Sequence, residues 1–467
     1  MKHPALSAFR KISLLAATLL CFFLPEQTHA QQGKNYLDSL LKTAAANYPL
    51  IKAKRLQTQA LQYAVKYQQN GFIPSLNASY QVDYATDNNI TGMVYPQYIL
   101  PLSGPLSKIN GNDYNGVPGS AAALNLLWEP ITFGQRSSEI ELAKGRLQYG
   151  KADEGLTLFQ QQAYVINAWL NFILINDLIK VYQSNIDRSA FNLKQAQSLV
   201  TSGLRPGTDS SSFNSEYTVA RIQLIAFERQ RDSTMITLKE LVGGQLPAGM
   251  IVDSSLYKSL PVLTLADTSL AEHPEVQLGM ANVTVNELTL KSLKKSIVPR
   301  LTLWSTGYGR GSGIGADGSV NAADSRHFER YNYGAGAQIS FPVLEILHQK
   351  PLWKQQELLI ASSREQLRQT ELHLTSQREI AESAFQKALR SARLAPEQFH
   401  SAEYSYKAIQ SRYQSGLINY YDVIQAQVLL FQSEAAVKIA NYTAWKSLLN
   451  KAAYYGNLNL FLNQYGK

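Results

Sequence analysis

Cysteine is almost absent from this 467-residue chain, in which Cys21 is the only one. It lies in an N-terminal segment in which basic residues precede an apolar stretch, Ile12–Leu24, and small residues precede a polar pair. That arrangement predicts a secretory signal peptide, residues 1–30, cleaved after Ala30. We therefore expect a mature chain without a thiol, which excludes disulfides, cysteine-ligated metals and a cysteine nucleophile.

Long apolar runs and dense charge are also missing. Apart from the signal peptide, no uninterrupted apolar run approaches the ~20 residues of a membrane-spanning helix, which excludes a helical multi-span protein. Charged residues make up only 17% of the chain, and 44 Lys and Arg against 35 Asp and Glu leave a net charge of +9. This basic excess is spread along the chain, so it does not predict a nucleic-acid partner.

Residue patterns typical of metal-binding, phosphate-binding or catalytic sites are missing as well. Five histidines follow the signal peptide, and none has the spacing of metal ligands. The glycine-rich segment Gly307–Gly313 leads from a predicted strand into a loop, whereas a phosphate cradle needs a helix N-terminus. We predict that the protein is not an enzyme and that it holds no metal and no cofactor.

What the chain does contain is an internal duplication. Each half has two prolines 25 residues apart, a proline that closes a strand-like segment, a glycine, and an aspartate six residues after the glycine. The landmarks are Pro49, Pro74, Pro130, Gly203 and Asp209 in the first half and Pro274, Pro299, Pro342, Gly416 and Asp422 in the second. This order predicts a first repeat at 31–242, a linker at 243–269 and a second repeat at 270–467.

The hydrophobic period changes in a fixed order within each repeat. A helical pattern comes first, then two segments of period two, then a very long helical pattern that turns at the glycine and returns as a shorter helix. The predicted strands lie at about 72–84, 120–131, 299–309 and 331–342, and the long helices at about 134–201 and 345–414. A helix of that length is a rod of roughly 100 Å, which is typical of a coiled-coil-like assembly.

Four strands per chain raise a closure problem. In a bilayer an open sheet edge is not tolerated, and the smallest single-chain transmembrane barrel has about eight strands. Either several chains share one barrel, or the strands form a soluble sandwich. Aromatic residues near the strand ends fit either the interfacial girdles of a barrel or ordinary strand positions. They are Tyr80, Tyr84, Trp128, Trp304, Tyr308, Tyr331 and Tyr333.

The duplicated order, together with the motif Tyr413-x-x-Gly416-x(5)-Asp422-Val423, resembles the outer-membrane efflux channel (TolC-like) family over essentially the whole mature sequence. The resemblance implies an α+β membrane protein built from a duplicated helix-strand-strand-long helix-helix protomer. It also implies a homotrimer with a 12-stranded transmembrane β-barrel in outer-membrane lipid, continuous with a periplasmic α-helical barrel. A periplasmic adaptor (membrane fusion) protein would link it to an inner-membrane pump.

The resemblance also implies a periplasmic gate at the helical turns. Asp422 matches a ring carboxylate of the family, Asp209 its acidic partner and Tyr413 a gate tyrosine, so in a closed channel we expect the carboxylates to accept hydrogen bonds from Tyr413 or Arg205. From the residues alone, Asp209 and Asp422 fit helix N-terminal charges or caps better than a gate.

The pattern departs from the family at Ile418, where the best-known member has a base, and at Gln425, where it has a second carboxylate. The gate is then either less charged, or Arg205 supplies the missing base from the first repeat. The turn residues resemble the tips that meet the adaptor. They are Gly203, Leu204, Gly416 and Leu417.

Three function classes follow from these patterns. The channel would be the exit duct of a tripartite efflux or type I secretion system. A secreted coiled-coil or adhesin-like protein would share the long helices but would not need two strand pairs of lipid-type alternation. A soluble periplasmic enzyme lacks a supporting constellation. The cargo is open among drugs, metal ions, dyes and secreted polypeptides, because an aqueous lumen makes weak chemical demands.

Overall fold

The computed structural model describes residues 27–86, 115–249, 259–263, 268–313 and 319–465. The predicted signal peptide lies outside these residues except for residues 27–30, which belong to the first helix. Parts of the predicted linker, 250–258 and 264–267, also lie outside them.

The described elements follow one order twice, namely helix, two strands, a long helix and a returning helix. In the first half they are α1 (Gln27–Asn47), α2 (Pro49–Asn70), β1 (Ser75–Thr86), β2 (Gly116–Ile131), α3 (Gln135–Thr201) and α4 (Gly207–Leu241). In the second half they are α5 (Pro274–Lys295), β3 (Arg300–Ser312), β4 (Arg330–Ser340), α6 (Glu345–Gln414), α7 (Tyr420–Tyr454) and the short α8 (Asn459–Leu462).

The two long helices have 67 and 70 residues. Helix α3 contains no proline, whereas α6 continues as one helix through Pro351 and Pro396. By contacts the chain divides into two compact units, and each unit contains segments of both halves. One unit comprises 59–148 and 282–363 and holds the strands; the other comprises 1–58, 149–281 and 364–467 and holds the helical turns.

The four strands form one antiparallel sheet in the order β1-β2-β3-β4. The register is continuous across all four strands, as in the row Asn77, Asn125, Thr306 and Gly334. It shifts only near the end of β2, between Trp128 and Ile131. Within the described sheet, β1 and β4 each pair on one side only, so both edges carry backbone groups without a strand partner.

The register sorts the strand residues onto two chemically different faces, because side chains alternate across a sheet. The apolar face includes Leu76, Ala78, Tyr80, Val82, Leu124, Leu126, Trp128, Leu303, Tyr331, Tyr333, Ala335 and Ala337. The polar face includes Ser75, Asn77, Ser79, Gln81, Asn125, Thr302, Thr306, Arg310, Arg330, Asn332 and Gln338. In the protomer, much of the apolar face is exposed.

The register also corrects the interpretation of two aromatic residues. Trp304 and Tyr308 lie on the polar face, because they are in register with Leu127 and Ala123 and not with the apolar row. The indole of Trp304 covers glycines of β4, and a Cβ at Gly336 would stand 2.8 Å from its ring. These two residues therefore do not share a face with Tyr80, Trp128, Tyr331 and Tyr333.

The unit that holds the helical turns has a large apolar core. Trp169 of α3, Phe385 of α6 and Trp445 of α7 are buried in it together with residues of the later part of α1, represented by Leu40. By length and composition α3 could cross a membrane, but 61% of its most apolar window is buried within the fold. Its apolar character is thus explained by core packing.

A buried histidine joins two helix ends in this unit. His273 is 2% exposed, its Nδ1 accepts the Glu275 backbone N–H at 3.2 Å, and its Nε2 lies 3.2 Å from the Ala453 carbonyl oxygen. This pattern requires the neutral tautomer that carries its proton on Nε2. Burial, followed by the nearby Arg378 charge, lowers the pKa of His273, although the Ala453 carbonyl and the Glu275 carboxylate act in the opposite direction.

We expect stability to fall on acidification because of His273. The folded-state pKa of His273 lies below the unfolded value of about 6.5. The contribution of its neutral ring to the free energy of unfolding is therefore fully present above that pH. This contribution is lost as the pH falls towards the folded pKa, by at most about 1.4 kcal/mol per pH unit. Thermal unfolding between pH 7.5 and 5 checks this, with His273→Gln giving a flatter dependence than the wild type. An equal flattening in His373→Gln, a control at an exposed histidine, would contradict it.

Candidate functional site

The two turns at the ends of the long helices share one backbone geometry. Gly203 and Gly416 have φ angles of +72° and +78°, a conformation that side-chain-bearing residues rarely adopt. The N–H of the following leucine, Leu204 or Leu417, donates to the carbonyl five residues earlier at 2.9 and 3.0 Å. These bonds satisfy carbonyls at the helix end, which explains the glycine in each repeat.

Both turns present an apolar side chain to solvent. Leu204 and Leu417 are each 70% exposed in the protomer, at matching positions of the two repeats. A single exposed leucine needs no explanation, but here the exposure recurs at the matching position of both repeats. The predicted tip residues therefore share geometry and exposure.

Arg205 connects the two turns. Its Nη2 donates to the Ile418 carbonyl oxygen at 2.6 Å, and its guanidinium carbon lies 5.0 Å from the centre of the Tyr413 ring. A cation over an aromatic face and a charge-assisted hydrogen bond are both attractive. A base of the first repeat thus binds the backbone of Ile418, the residue at which the resemblance implied a base.

Tyr413 and Asp209 form the buried centre of this site. The Tyr413 hydroxyl donates to Asp209 Oδ2 at 3.2 Å, and the two residues are 2% and 3% exposed. Burial, followed by the Asp209 charge and this hydrogen bond, raises the pKa of Tyr413 to about 12, although Arg205 opposes the shift. The hydroxyl consequently keeps its proton and remains a donor throughout the physiological range.

Aromatic residues that the sequence did not single out surround this pair. Phe213 is buried and meets the Tyr413 ring edge-on, with centroids 5.8 Å apart, and the Tyr420 ring lies 6.3 Å from Phe213. Phe213 stands four residues after Asp209, hence on the same face of α4. The spacing of four residues could therefore have indicated, from the sequence alone, that Phe213 lies next to Asp209 in the site. The apolar surroundings strengthen the Tyr413–Asp209 hydrogen bond by excluding water.

Asp422 lies apart from this arrangement. It is half-buried in the first turn of α7, where its backbone N–H donates to Asn419 Oδ1 at 3.2 Å. Within the described part of the protomer its carboxylate has no hydrogen bond or ion pair. The expected hydrogen bond from Tyr413 or Arg205 forms at Asp209 and not at Asp422, because the Tyr413 hydroxyl is directed to α4 and Arg205 binds Ile418.

The capping interpretation fits neither aspartate. The N-cap residues are Pro206 for α4, without a side-chain cap, and Asn419 for α7. Asp209 and Asp422 both stand in the first turn, where a negative charge favours the helix modestly, by about 0.3–1 kcal/mol. The Asp209 carboxylate is engaged by Tyr413 instead of by a backbone N–H.

A buried polar network that the sequence did not single out lies between α3, α6 and α7. Asn192 Nδ2 donates to the Tyr406 hydroxyl at 3.1 Å and to Gln427 Oε1 at 2.7 Å, while Gln427 Nε2 donates to Ser189 Oγ at 2.6 Å and to Asn185 Oδ1 at 3.1 Å. The three α3 residues repeat at i, i+4 and i+7, a polar stripe on an otherwise apolar helix. Such a network fixes the register of the helices.

Taken together, an exposed apolar sheet face with two open edges and very long paired helices with duplicated turns define an exported membrane-channel protein. The sequence profile of the family described as outer membrane efflux protein matches residues 40–244 and 265–450. The chain belongs to this family. It is an outer-membrane channel with a periplasmic helical part and not an enzyme.

Solved structures share the fold at low sequence identity. The outer membrane protein VceC from Vibrio cholerae has a TM-score of 0.71 and 13% identity, with 90% of this chain and 96% of that chain covered. The Campylobacter jejuni CmeC outer membrane channel has a TM-score of 0.70 and 14% identity, covering 91% and 86%. The open state of the Neisseria gonorrhoeae MtrE outer membrane channel has a TM-score of 0.70 and 15% identity, covering 91% and 89%. No curated protein matches the chain significantly.

Proposed function

We propose that three copies of the chain form one 12-stranded transmembrane barrel. The supporting observation is the four-stranded sheet, whose apolar face is exposed and whose edge strands β1 and β4 pair on one side only. In lipid both edges must be paired, and four strands are too few to close on themselves. In a trimer, β4 of each copy pairs with β1 of the next, and the long helices continue as a helical barrel through the periplasm.

We further propose that the trimer is the exit duct of a tripartite efflux or type I secretion system. Members of the family act in tripartite efflux systems. In this chain the exposed leucines of the two turns, Leu204 and Leu417, form an apolar surface for a periplasmic adaptor protein. The adaptor would connect the duct to an inner-membrane pump, which supplies the energy, so the duct itself needs no catalytic residue.

The gate of the duct follows from the contacts at the turns. In this proposal the Tyr413–Asp209 and Arg205–Ile418 hydrogen bonds hold the second-repeat helices against the first-repeat helices in the closed state. Asp422, whose carboxylate has no such contact in the described protomer, faces its two symmetry copies. Three like charges at the entrance attract cations.

The adaptor surface is tested by replacing both turn leucines with aspartate. Leu204→Asp with Leu417→Asp should abolish export of a fluorescent dye from cells that also produce the adaptor and pump, because two desolvated carboxylates oppose an apolar contact. The trimer should still conduct in bilayers. The matched control, Ser202→Asp with Ser415→Asp, adds the same charges to the same turns and keeps the leucines. Normal export by the leucine variant would refute the adaptor role of the turns.

A further inference from the structure

The polar face of the sheet carries charge of almost one sign. Among residues in register whose side chains the structure describes, the charged ones on this face are Arg300, Arg310 and Arg330. Asp83 is the one acidic residue in register within the four strands. It pairs with Gly119, which is in register with Ser312, two residues after Arg310. Glu129 falls at the irregularity near the end of β2, where the register is interrupted. The balance along the polar face is therefore basic.

Two of these arginines stand directly opposite each other. Arg310 of β3 pairs with Arg330 of β4, in the row that continues through Ala121 to Gln81. Like charges at directly opposite positions destabilise an antiparallel sheet. Arg330 is exposed in the protomer, and Arg310 is half-buried.

The neighbouring loop provides a charge of the same type on the other side of the sheet. Ser325 lies against the apolar face, since its carbonyl accepts the Ser120 hydroxyl, and Phe328 meets the ring of Tyr80 edge-on at 6.3 Å. Arg326, between them, is exposed. The chain thus offers an arginine at the same end of the sheet that does not belong to the polar face.

We propose that the lumen of the barrel is a basic passage that prefers anions, with Arg310 and Arg330 as its selectivity-determining residues. This inference rests on the proposed trimeric barrel, in which the polar face lines the lumen and each residue occurs three times. Rings of arginine are a means by which pores favour anions, and lumenal substitutions in barrels tune selectivity. The favoured cargo would carry carboxylate, phosphate or sulfate groups.

The test compares ion preference between the wild type and variants of the purified trimer in planar bilayers. In a KCl gradient at ~0.1 M, Arg310→Gln with Arg330→Gln should lower the chloride-to-potassium permeability ratio at least about two-fold relative to the wild type. Because the gate is identical in both proteins, its own cation preference cancels in the comparison. The difference should shrink at ~1 M salt, where the screening length falls to about 3 Å.

Two control variants make the result specific. Arg310→Lys with Arg330→Lys keeps the charges and should retain the wild-type ratio, while Arg326→Gln removes one charge outside the polar face and should leave the ratio unchanged. A ratio unaffected by the double glutamine variant, or lowered equally by Arg326→Gln, overturns the inference. The trimeric barrel itself stands in that case, because the wild type conducts. A wild type that inserts no channel refutes the proposed function instead.

Discussion

Replacing Tyr413 by phenylalanine opens the channel. The substitution keeps the ring, its edge-on contact with Phe213 and its position under Arg205, but it removes the donor of the 3.2 Å hydrogen bond to Asp209. A buried acceptor left without its partner costs about 1–3 kcal/mol, and only the closed arrangement bears that cost. The ratio of open to closed states should rise by about 5- to 150-fold for each bond lost.

Single-channel recording of the purified trimer measures this effect. The wild type should conduct weakly and Tyr413→Phe should show higher conductance or longer openings, with Asp209→Asn intermediate because an amide oxygen still accepts. Arg205→Ala should act in the same direction through the lost bond to Ile418. If these residues only support the helix ends, the variants lose a little stability and conduct like the wild type, and the gate assignment is then rejected.

The Asp422→Ala substitution distinguishes the role of Asp422 from that of Asp209. Because the Asp422 side chain takes no part in the Tyr413–Asp209 contact, its removal should change closure less than Tyr413→Phe does. If its three copies ring the entrance, the variant should lower cation preference and weaken the block by multivalent cations. If Asp422→Ala opens the channel as strongly as Tyr413→Phe, both aspartates hold the channel closed, and the separate role of Asp422 is rejected.

Tyr80→Arg prevents assembly of the barrel. Tyr80 lies on the apolar face in the middle of β1, and a guanidinium near the centre of a bilayer costs about 2–4 kcal/mol in each copy. Ser79→Arg places the same group on the polar face, at a neighbouring position, and should be tolerated. The amount of SDS-resistant trimer in outer membranes measures the difference.

A third substitution distinguishes the charge from the lost ring. Tyr80 also meets Phe328 edge-on, so Tyr80→Leu removes that contact without adding a charge. It should assemble nearly as well as the wild type. Equal loss of trimer in Tyr80→Arg and Ser79→Arg would mean that the two faces of the sheet are not lipid and lumen.

Local pattern predicted the elements well, because helix and strand periods depend on which side of each element is buried. The long helix of the first repeat occupies 135–201, where unbroken helical spacing predicted it. The first strand begins at Ser75 and not near residue 72, since Gly71–Ile73 form a hydrogen-bonded turn first. Alternation also predicted the apolar face, but it did not reveal that Trp304 and Tyr308 lie on the opposite one, which depends on the register between strands.

Contacts between distant segments were not predictable in the same way. Tyr413 and Asp209 are separated by 204 residues, and only resemblance to the family linked them. The role of Arg205 depends on two turns meeting in space, and that of His273 on the ends of two helices. The Asn185, Ser189 and Asn192 stripe was visible at helical spacing, but its partners on α6 and α7 were not.

The most direct test of the account is to cross-link the seam between copies. Residue pairs near the same end of the two edge strands, where β1 begins and β4 ends, are introduced after Cys21→Ser, which leaves no other thiol. The pairs are Ser75→Cys with Ser340→Cys and Asn77→Cys with Gln338→Cys. Oxidation in outer membranes, followed by denaturing electrophoresis, should give covalent dimers and trimers and nothing larger, because β4 of each copy meets β1 of the next and three copies close the ring. Monomers alone in both pairs, or a ladder that continues beyond three chains, would contradict the 12-stranded barrel.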